Sequence, residues 1–258
     1  MLKRYATSLL LVACFAAKLP AQTPSGTEIL RRMHDAYAGK WYRTLTFTQK
    51  TTQWRPDGTM REAVWYESLR HFDDRGTLLR IDIGTPSTGN GILFSADSSW
   101  VMRAGKLAVA RPSGNEFLPL IEGVYMQPVD VTAKQLTAMG FDVTKTTSGN
   151  WKGTPVWIVG TSSTTDTTST QFWIDKARNI VLRAFISPAP NTVMDIHLNN
   201  YVQVGKGWLA TKIEMTVGGK PAQSEEYSDW KVDVELAPEL FTPATWSTAP
   251  HWVKEVSK

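Results

Sequence analysis

The chain has 258 residues, and 42% of them are hydrophobic, which supports a packed core and excludes a largely disordered protein. Its formal charge is +4, but three of the 28 basic residues and none of the 24 acidic residues lie in residues 1–21. The remaining 25 basic residues are scattered among acidic ones, so no basic stripe is present and no nucleic-acid partner is predicted. Cys14 is the single cysteine, which excludes a disulfide within the chain and disfavours a cysteine-based metal site or nucleophile.

Residues 1–21 have the layout of an export signal. Lys3 and Arg4 precede an apolar run over about residues 9–17, and small residues follow. This run is shorter than the roughly 20 apolar residues that a membrane-spanning helix needs. Two interpretations stay open. Removal of the whole segment predicts an exported, periplasmic protein of a bacterial envelope, whereas cleavage at a lipobox before Cys14 predicts a lipid anchor on that residue.

The stretch "TPSGTEILRRMHDAYAG" predicts an amphipathic helix of about three turns. Ser25 or Thr27 can cap its first turn, where the carboxylate of Glu28 is also favourable. The apolar stripe of this helix consists of Ile29, Leu30, Met33 and Tyr37, and Gly39 follows its end. We therefore expect one face of the helix to be buried.

Strand patterns follow between about residues 43 and 111. In "TLTFTQKTTQW", Leu45 and Phe47 alternate with threonines, which predicts a strand with one buried and one solvated face. "RPDGT" and "DDRGT" are typical turn sequences, and the following "LLRIDIG" places Leu79 and Ile81 on one face of another strand. These signals predict about five strands joined by short turns.

The pattern becomes helical at about residues 116–139. Leu118, Ile121 and Tyr125 would share one face of a first helix, and Asp130 can cap a second one. Strand patterns then resume and predict five or six further strands. The sequence therefore predicts a helical insert between two sets of strands.

No linker separates the two sets of strands, so residues 22–258 are predicted to form a single domain. Its fold class is mostly β (α+β), with one strongly curved antiparallel sheet or half-open barrel. The N-terminal helix and the helical insert are the elements that can cover the concave face, the insert as a lid. The C-terminal tail, about residues 237–258, is proline-rich and is predicted to be extended.

Three phrases in this order of elements resemble those of a known family. They are "FTQK" at residues 47–50, "WIDKARNIVLR" at residues 173–183 and "LAPELFTP" at residues 236–243. Together with the signal, the first helix and the lid, they resemble the periplasmic lipoprotein carriers of the LolA/LolB type. One stretch, "WYESLRHFDDRGTLLRIDIG", departs from that family because it lacks the basic–proline pair usual there. The chain thus looks like a divergent, outer-membrane lipoprotein-sorting-like branch.

The resemblance implies a chaperone without enzymatic activity, in which an acyl chain or similar apolar group lies between the sheet and the lid. It implies a lipid or an acylated protein as ligand, a membrane-bound donor or acceptor protein as a further partner, and a monomeric carrier. In carriers of this family an arginine helps to hold the lid closed, and Arg70 and Arg80 are the nearest candidates for that latch. The residues expected to line the apolar cleft and the lid are Leu45, Phe47, Tyr66, Leu79, Ile81, Phe94, Trp100, Leu118, Ile121 and Tyr125.

No catalytic motif accompanies these residues. The sequence lacks H-E-x-x-H, G-x-S-x-G and Walker strings, so no catalytic residue, metal site or cofactor is predicted. Asp195 and His197 share one face of a strand and could begin a metal or acid–base pair. No third ligand follows at a recognisable spacing, so a polar outer face of the sheet is the favoured interpretation.

Two other functions stay open beside the carrier. One is an envelope hydrolase with an unrecognised carboxylate or histidine site, and the other is a structural or adaptor module of the envelope. An apolar cavity under residues 118–139 would favour the carrier, whereas titratable side chains converging in a cleft would favour the hydrolase. A solid core with a flat exposed apolar patch would favour the adaptor.

Overall fold

A computed structural model describes residues 23–254 of the chain. The predicted export signal and the candidate lipid-anchor residue Cys14 lie outside these residues. The described part consists of two α-helices, several short helical turns and 13 strands. The helices are α1 (Gly26–Tyr37) and α2 (Val129–Ala138). The strands are β1 (Thr44–Trp54), β2 (Met60–Phe72), β3 (Gly76–Ile83), β4 (Gly91–Phe94), β5 (Ser99–Arg103), β6 (Lys106–Arg111), β7 (Thr146–Trp151), β8 (Thr154–Val159), β9 (Gln171–Asp175), β10 (Val181–Ala189), β11 (Thr192–Val204), β12 (Gly207–Val217) and β13 (Lys220–Val232).

All 13 strands belong to one antiparallel sheet in the order β6-β5-β4-β3-β2-β1-β13-β12-β11-β10-β9-β8-β7. Every pair of neighbours is consecutive in the chain except β1 and β13, which join two meanders in the middle of the sheet. The sheet does not close, because β6 and β7 remain its two outer strands. The predicted fold class, a mostly β protein with a single antiparallel sheet and few helices, is confirmed.

Helix α1 forms where the sequence predicts it. The Ser25 hydroxyl accepts a hydrogen bond from the Glu28 amide at 3.2 Å and caps the first turn. Ile29, Leu30 and Met33 are buried against the sheet core, as the apolar stripe requires. The helix also packs against α2, so both helices cover the same side of the molecule.

The helical insert is more broken than its apolar pattern suggests. It consists of a π-helical turn (Leu118–Glu122), a 3₁₀ turn (Gly123–Tyr125) and α2. Proline at the start of the π-helical turn and Pro128 at the N-cap of α2 lack the amide hydrogens that a continuous helix needs. Asp130 therefore does not cap the second helix as predicted. It lies in the first turn of α2, where the helix dipole favours its carboxylate.

The two faces of the sheet carry separate cores. We call the face with Leu45 and Phe47 the inner face, and α1 and the helical insert cover it. The opposite, outer face carries Leu93 and Met102 near the β6 end, and the C-terminal segment covers it with Trp246 and other apolar residues. Burial of both faces explains how the sheet persists without a disulfide in the described residues.

The C-terminal segment is not extended as predicted. It forms two 3₁₀ turns, Pro238–Phe241 and Pro243–Thr245, each with a proline in its first turn. Leu240, Phe241 and Trp246 are buried against the outer face. Compact turns let three large apolar side chains project to the same side and become buried there. In a straight extended tail, successive side chains would project to opposite sides.

Candidate ligand-binding cavity

A cavity of about 320 Å³ lies between the inner face and the π-helical turn. This volume is at the lower end of the range for ligand pockets, roughly 300–1,000 Å³. Its walls come from β1–β4, β11–β13 and the insert. The lining residues are Leu45, Phe47, Gln49, Trp65, Glu67, Leu69, Leu79, Ile81, Ile92, Phe94, Asn115, Phe117, Leu118, Ile121, Glu122, Leu198, Tyr201, Trp208, Ala210, Ile213, Met215, Gln223, Glu225, Tyr227 and Trp230.

Most of the residues expected at the cleft line this cavity. Strand alternation explains the sheet members, because residues two apart in β1 and in β3 project to the same side. The insert contributes two more side chains from one helical turn. The predicted residues on the wall are Leu45, Phe47, Leu79, Ile81, Phe94, Leu118 and Ile121.

Three of the expected residues lie elsewhere. Tyr66 projects to the outer face, where its ring centroid is 6.0 Å from that of Trp252. Trp100 packs with the outer-face core, on the same side of β5 as Met102. Tyr125 is buried beside the cavity and stacks on Trp41 with ring centroids 3.9 Å apart. In each case the side chain packs against other residues outside the cavity wall and does not line the cavity.

Arg70 and Arg80 hold the C-terminal segment, not the lid. Arg70 donates a hydrogen bond to the carbonyl oxygen of Leu236. Arg80 donates to the Leu240 carbonyl oxygen at 3.2 Å, and its guanidinium lies 3.7 Å from the ring centroid of Trp246. Because Arg80 alternates with Leu79 and Ile81, it must project to the outer face when they face the cavity. These contacts correct the predicted role of both arginines.

The outer-face contact of Arg80 includes a buried ion pair. Its Nε and one terminal nitrogen each lie 2.8 Å from an oxygen of Asp82, and both residues are buried. His251 in the C-terminal segment approaches the same carboxylate at 3.0 Å. Hydrogen bonds from His251 and Arg80, together with the Arg80 charge, keep the pKa of Asp82 below its ordinary value although burial acts in the opposite direction. Both residues of the ion pair lie in β3, and the contacts of Asp82 with His251 and of Arg80 with Leu240 tie the tail to this strand.

The cavity also contains carboxyl groups that the sequence did not reveal. Glu67 and Glu225 line it from β2 and β13, together with the amides of Gln49 and Gln223. Glu225 accepts hydrogen bonds from the Tyr227 hydroxyl and from Gln223. Residues two apart in a strand share a face, so the sequence places Glu67 on the same face of β2 as Trp65 and Leu69. No local pattern could place a residue of β13 beside it.

Burial raises the pKa values of both carboxyl groups. The pKa of Glu67 lies well above its ordinary value because the group is desolvated, and the nearby Glu225 adds to this shift. Burial also raises the pKa of Glu225, while hydrogen bonds from Tyr227 and from the two glutamines partly oppose the increase. Burial thus shifts both groups towards their protonated forms, in which a carboxyl group can donate as well as accept a hydrogen bond.

A cluster of aromatic rings stands next to these carboxyl groups. The ring centroid of Phe47 lies 5.4 Å from that of Tyr227 and 5.2 Å from that of Trp230. Tyr227 and Trp230 are 5.5 Å apart. Phe47 is also the direct cross-strand partner of Glu67. Aromatic faces and acidic groups are thus combined at one end of an otherwise apolar cavity.

Glu122 connects the lid to the segment after α1. Its carboxyl oxygens accept hydrogen bonds from Trp41 Nε1 at 2.8 Å and from the Tyr42 hydroxyl at 2.7 Å. Burial raises the pKa of Glu122 to about 7, although these two hydrogen bonds favour the ionised form. Glu122 therefore holds the π-helical turn in place.

The Asp195 and His197 pair belongs to an ion cluster on the β7–β11 side of the sheet. Arg183 donates two hydrogen bonds to the Asp195 carboxylate at 2.8 and 2.7 Å. The guanidinium carbon of Arg183 lies 4.1 Å from the ring centroid of Trp151, which in turn contacts the His197 ring. Burial alone would raise the pKa of Asp195, but the hydrogen bonds from Arg183 and the nearby His197 lower it to about 2. The contacts of this pair are those of a structural ion pair.

Two features are absent from residues 23–254. They contain no group of three or more histidine, cysteine, aspartate or glutamate side chains arranged to hold a metal ion. None of their helices has the length and apolar character needed to cross a bilayer.

The fold is shared with solved structures. No family model matches the chain, and neither does any curated protein. A DUF1329 family protein from Desulfovibrio piger superposes with a TM-score of 0.61 at 15% identity, covering 87% of this chain and 100% of the other. A domain from Vibrio parahaemolyticus assigned to outer membrane lipoprotein sorting superposes with a TM-score of 0.58 at 16% identity, covering 86% and 98%. A LolA superfamily protein from Nitrosomonas europaea superposes with a TM-score of 0.51 at 12% identity, covering 85% of this chain and 98% of the other.

These likenesses define the class to which the fold belongs. The sheet and helices have the LolA-like arrangement that the resemblance of the three sequence phrases implied. At such identities the comparison concerns the fold alone.

Proposed function

We propose that this protein is a non-enzymatic carrier of the bacterial envelope that binds a lipid, an acyl chain or an acylated protein. The apolar cavity beneath the π-helical turn is the observation that carries the proposal. Its aliphatic walls, including Leu79, Ile81 and Leu118, match the methylene groups of a hydrocarbon chain. The LolA-like fold supports the same function. So does the Vibrio parahaemolyticus neighbour, which is described as a lipoprotein-sorting domain.

The energetics of an acyl chain agree with reversible carriage. Each buried methylene group contributes about 0.8 kcal/mol, so roughly ten of them would contribute about 8 kcal/mol. Loss of translational and conformational freedom on binding offsets several kcal/mol of this. The few kcal/mol that remain correspond to a dissociation constant closer to the millimolar than to the micromolar range, which permits both loading and release. For a carrier, release matters as much as binding.

The proposed carrier would act in the bacterial envelope. We place it in the periplasm as a monomer after export, or at a membrane if Cys14 carries a lipid. A membrane-bound donor or acceptor protein would load or unload it. The layout of the first 21 residues supports export, because a basic start precedes a short apolar run.

A hydrolase is the second candidate, and the meeting of Glu67 and Glu225 in one cavity is the observation that favours it. Acid–base catalysis by two carboxyl groups needs environments that separate their pKa values, so that one is protonated and the other ionised. Burial instead raises both pKa values here. The carrier is therefore better supported than the hydrolase. It is also better supported than the adaptor module, because an adaptor would not require a cavity.

Native mass spectrometry with lipid extraction tests the carrier directly. We expect protein purified from its own envelope to retain a lipid or acylated molecule. Phe47→Glu, or the milder Ile121→Glu in the lid, should abolish that co-purification because each puts a carboxylate into the apolar cavity. Val64→Glu is the matched control, since Val64 is exposed on β2.

Circular dichroism must show that each variant is folded before its loss of ligand is interpreted. Folded wild-type protein that yields no lipid and binds no added amphiphile would contradict the carrier. Equal retention by Ile121→Glu and Val64→Glu would also contradict it, because the ligand would then lie outside this cavity.

A further inference from the structure

The side chains in the cavity wall that can become charged near neutral pH are all carboxylic acids, so any charge they carry is negative. Three glutamates, Glu67, Glu122 and Glu225, belong to its wall, and none of the described lining residues is lysine, arginine or histidine. Glu122 is already engaged by Trp41 and Tyr42 at the lid. Any charge on a bound molecule that is complementary to this wall must therefore be positive.

One oxygen of this wall is left without a partner. Glu67 is only 3% exposed, and among the described residues its Oε1 atom has no hydrogen-bond partner. Such an isolated polar group in an apolar environment is costly, and a ligand that donates a hydrogen bond to it recovers that cost. Glu225, in contrast, already accepts from Tyr227 and Gln223. The free oxygen of Glu67 is thus the natural position for a ligand donor.

The aromatic cluster adds a second preference for positive charge. Phe47 lies directly across from Glu67, and Tyr227 both contacts Phe47 and donates to Glu225. Trp230 completes the cluster. A cation within about 6 Å of such ring faces is attracted by their quadrupoles, most strongly where water is displaced.

We propose that the cavity selects amphiphiles whose polar group is a protonated amine. The amine would donate to Glu67 and lie between Glu225 and the rings of Phe47, Tyr227 and Trp230. Its hydrocarbon part would extend along the aliphatic walls towards the lid. This inference rests on the proposed carrier function and deepens it, because it names the ligand class that the carrier accepts.

Proton release should accompany the binding of an amine. The titratable groups that face the cavity are Glu67 from β2, Glu122 from the lid, Tyr201 from β11, and Glu225 and Tyr227 from β13. Burial favours the protonated carboxyls while the cavity holds no cation. An ammonium group beside them favours the carboxylate, so a proton leaves Glu67 or Glu225 as the ligand enters.

Three ligands with the same chain separate the alternatives: decylamine, decanol and decanoate. We expect decylamine to bind about tenfold or more tightly than decanol at neutral pH, since a hydrogen bond to an ionised group is stronger than a neutral one. Decanoate should bind most weakly, because it brings a further negative charge into the acidic wall. Titrations can follow the fluorescence of Trp65, Trp208 and Trp230, which line the cavity.

Glu67→Gln should lower the affinity for decylamine about tenfold and leave decanol binding unchanged. Glu225→Gln serves as a second variant if the first does not fold. Glu62→Gln on the same strand is the matched control, because Glu62 is exposed and pairs with Lys50 at the surface. Calorimetry in two buffers of different ionisation enthalpy should detect proton release with decylamine and none with decanol.

The outcomes distinguish this inference from the carrier proposal. If decanol or decanoate binds as tightly as decylamine, or if Glu67→Gln leaves amine affinity unchanged, the amine preference is wrong while the carrier stands. If folded protein binds none of the three ligands, the carrier itself fails and the inference falls with it.

Discussion

Replacement of Glu122 by glutamine should change how stability depends on pH. The folded protein buries this carboxyl group between Trp41, Tyr42 and the wall of the cavity, and burial raises its pKa from 4.5 to about 7. The native state therefore holds a proton that the unfolded chain releases at neutral pH. A raised pKa of an acid means that the native state is favoured below the unfolded pKa and loses stability as pH rises through the folded pKa.

The magnitude follows from the two pKa values. One pKa unit corresponds to about 1.4 kcal/mol, so the difference between 4.5 and about 7 is worth roughly 3 kcal/mol once the pH exceeds both values. Between pH 5 and pH 8 the group should account for a loss of about 2 to 3 kcal/mol in the free energy of unfolding. Glutamine cannot ionise but keeps an oxygen that accepts from Trp41 or Tyr42. Glu122→Gln should remove this loss.

Urea unfolding followed by tryptophan fluorescence at pH 5 and pH 8 measures the effect. Wild type should lose about 2 to 3 kcal/mol more than Glu122→Gln over this interval, and the exposed Glu235→Gln control should behave as wild type. Glu67 and Glu225 act in the same direction in all three proteins, so they cancel in the comparison. The same pH dependence in wild type and Glu122→Gln would refute the reasoning.

Two further predictions concern the packing of the outer face. Arg80→Met leaves the buried Asp82 without its main partner and should cost about 3–5 kcal/mol in urea unfolding, whereas adding Asp82→Leu should restore most of that loss. No recovery in the double variant would show that the ion pair does not dominate there. Gly91→Ala should cost about 1–3 kcal/mol, because a Cβ atom would lie 2.1 Å from the Ile81 carbonyl oxygen. Gly149→Ala, whose nearest neighbour is a flexible side chain at 3.0 Å, should cost less by the same assay, and the reverse order would contradict the argument.

Alternation along the strands made the sheet and much of the cavity wall predictable. Leu45 and Phe47 alternate with threonines, and Leu79 and Ile81 alternate with Arg80, so each set was assigned to one face from sequence alone. The same rule assigns Arg80 to the opposite face, against the latch role that the family resemblance implies.

Other features could not be obtained from one sequence. The adjacent aromatic pair of Trp65 and Tyr66 faces both sides of β2, and only the fold decides which ring meets the cavity. Glu67 and Glu225 meet because β1 lies between their strands, which depends on a long-range pairing that local patterns do not encode. The apolar spacing of the insert predicts regular helix, but its prolines prevent the regular hydrogen bonding.

The position of β1 between β2 and β13 has a consequence for the order in which the molecule assembles. Every other strand pairing joins neighbours in the chain, but Leu45 of β1 pairs with Val232 near the end of the chain. Pairings between such distant segments carry a large loop-closure cost and form late. We expect each meander to fold locally and the seam between them to close last. The cavity spans that seam, so without β13 the two parts of its wall, from β1–β4 and from β11–β12, would not be joined.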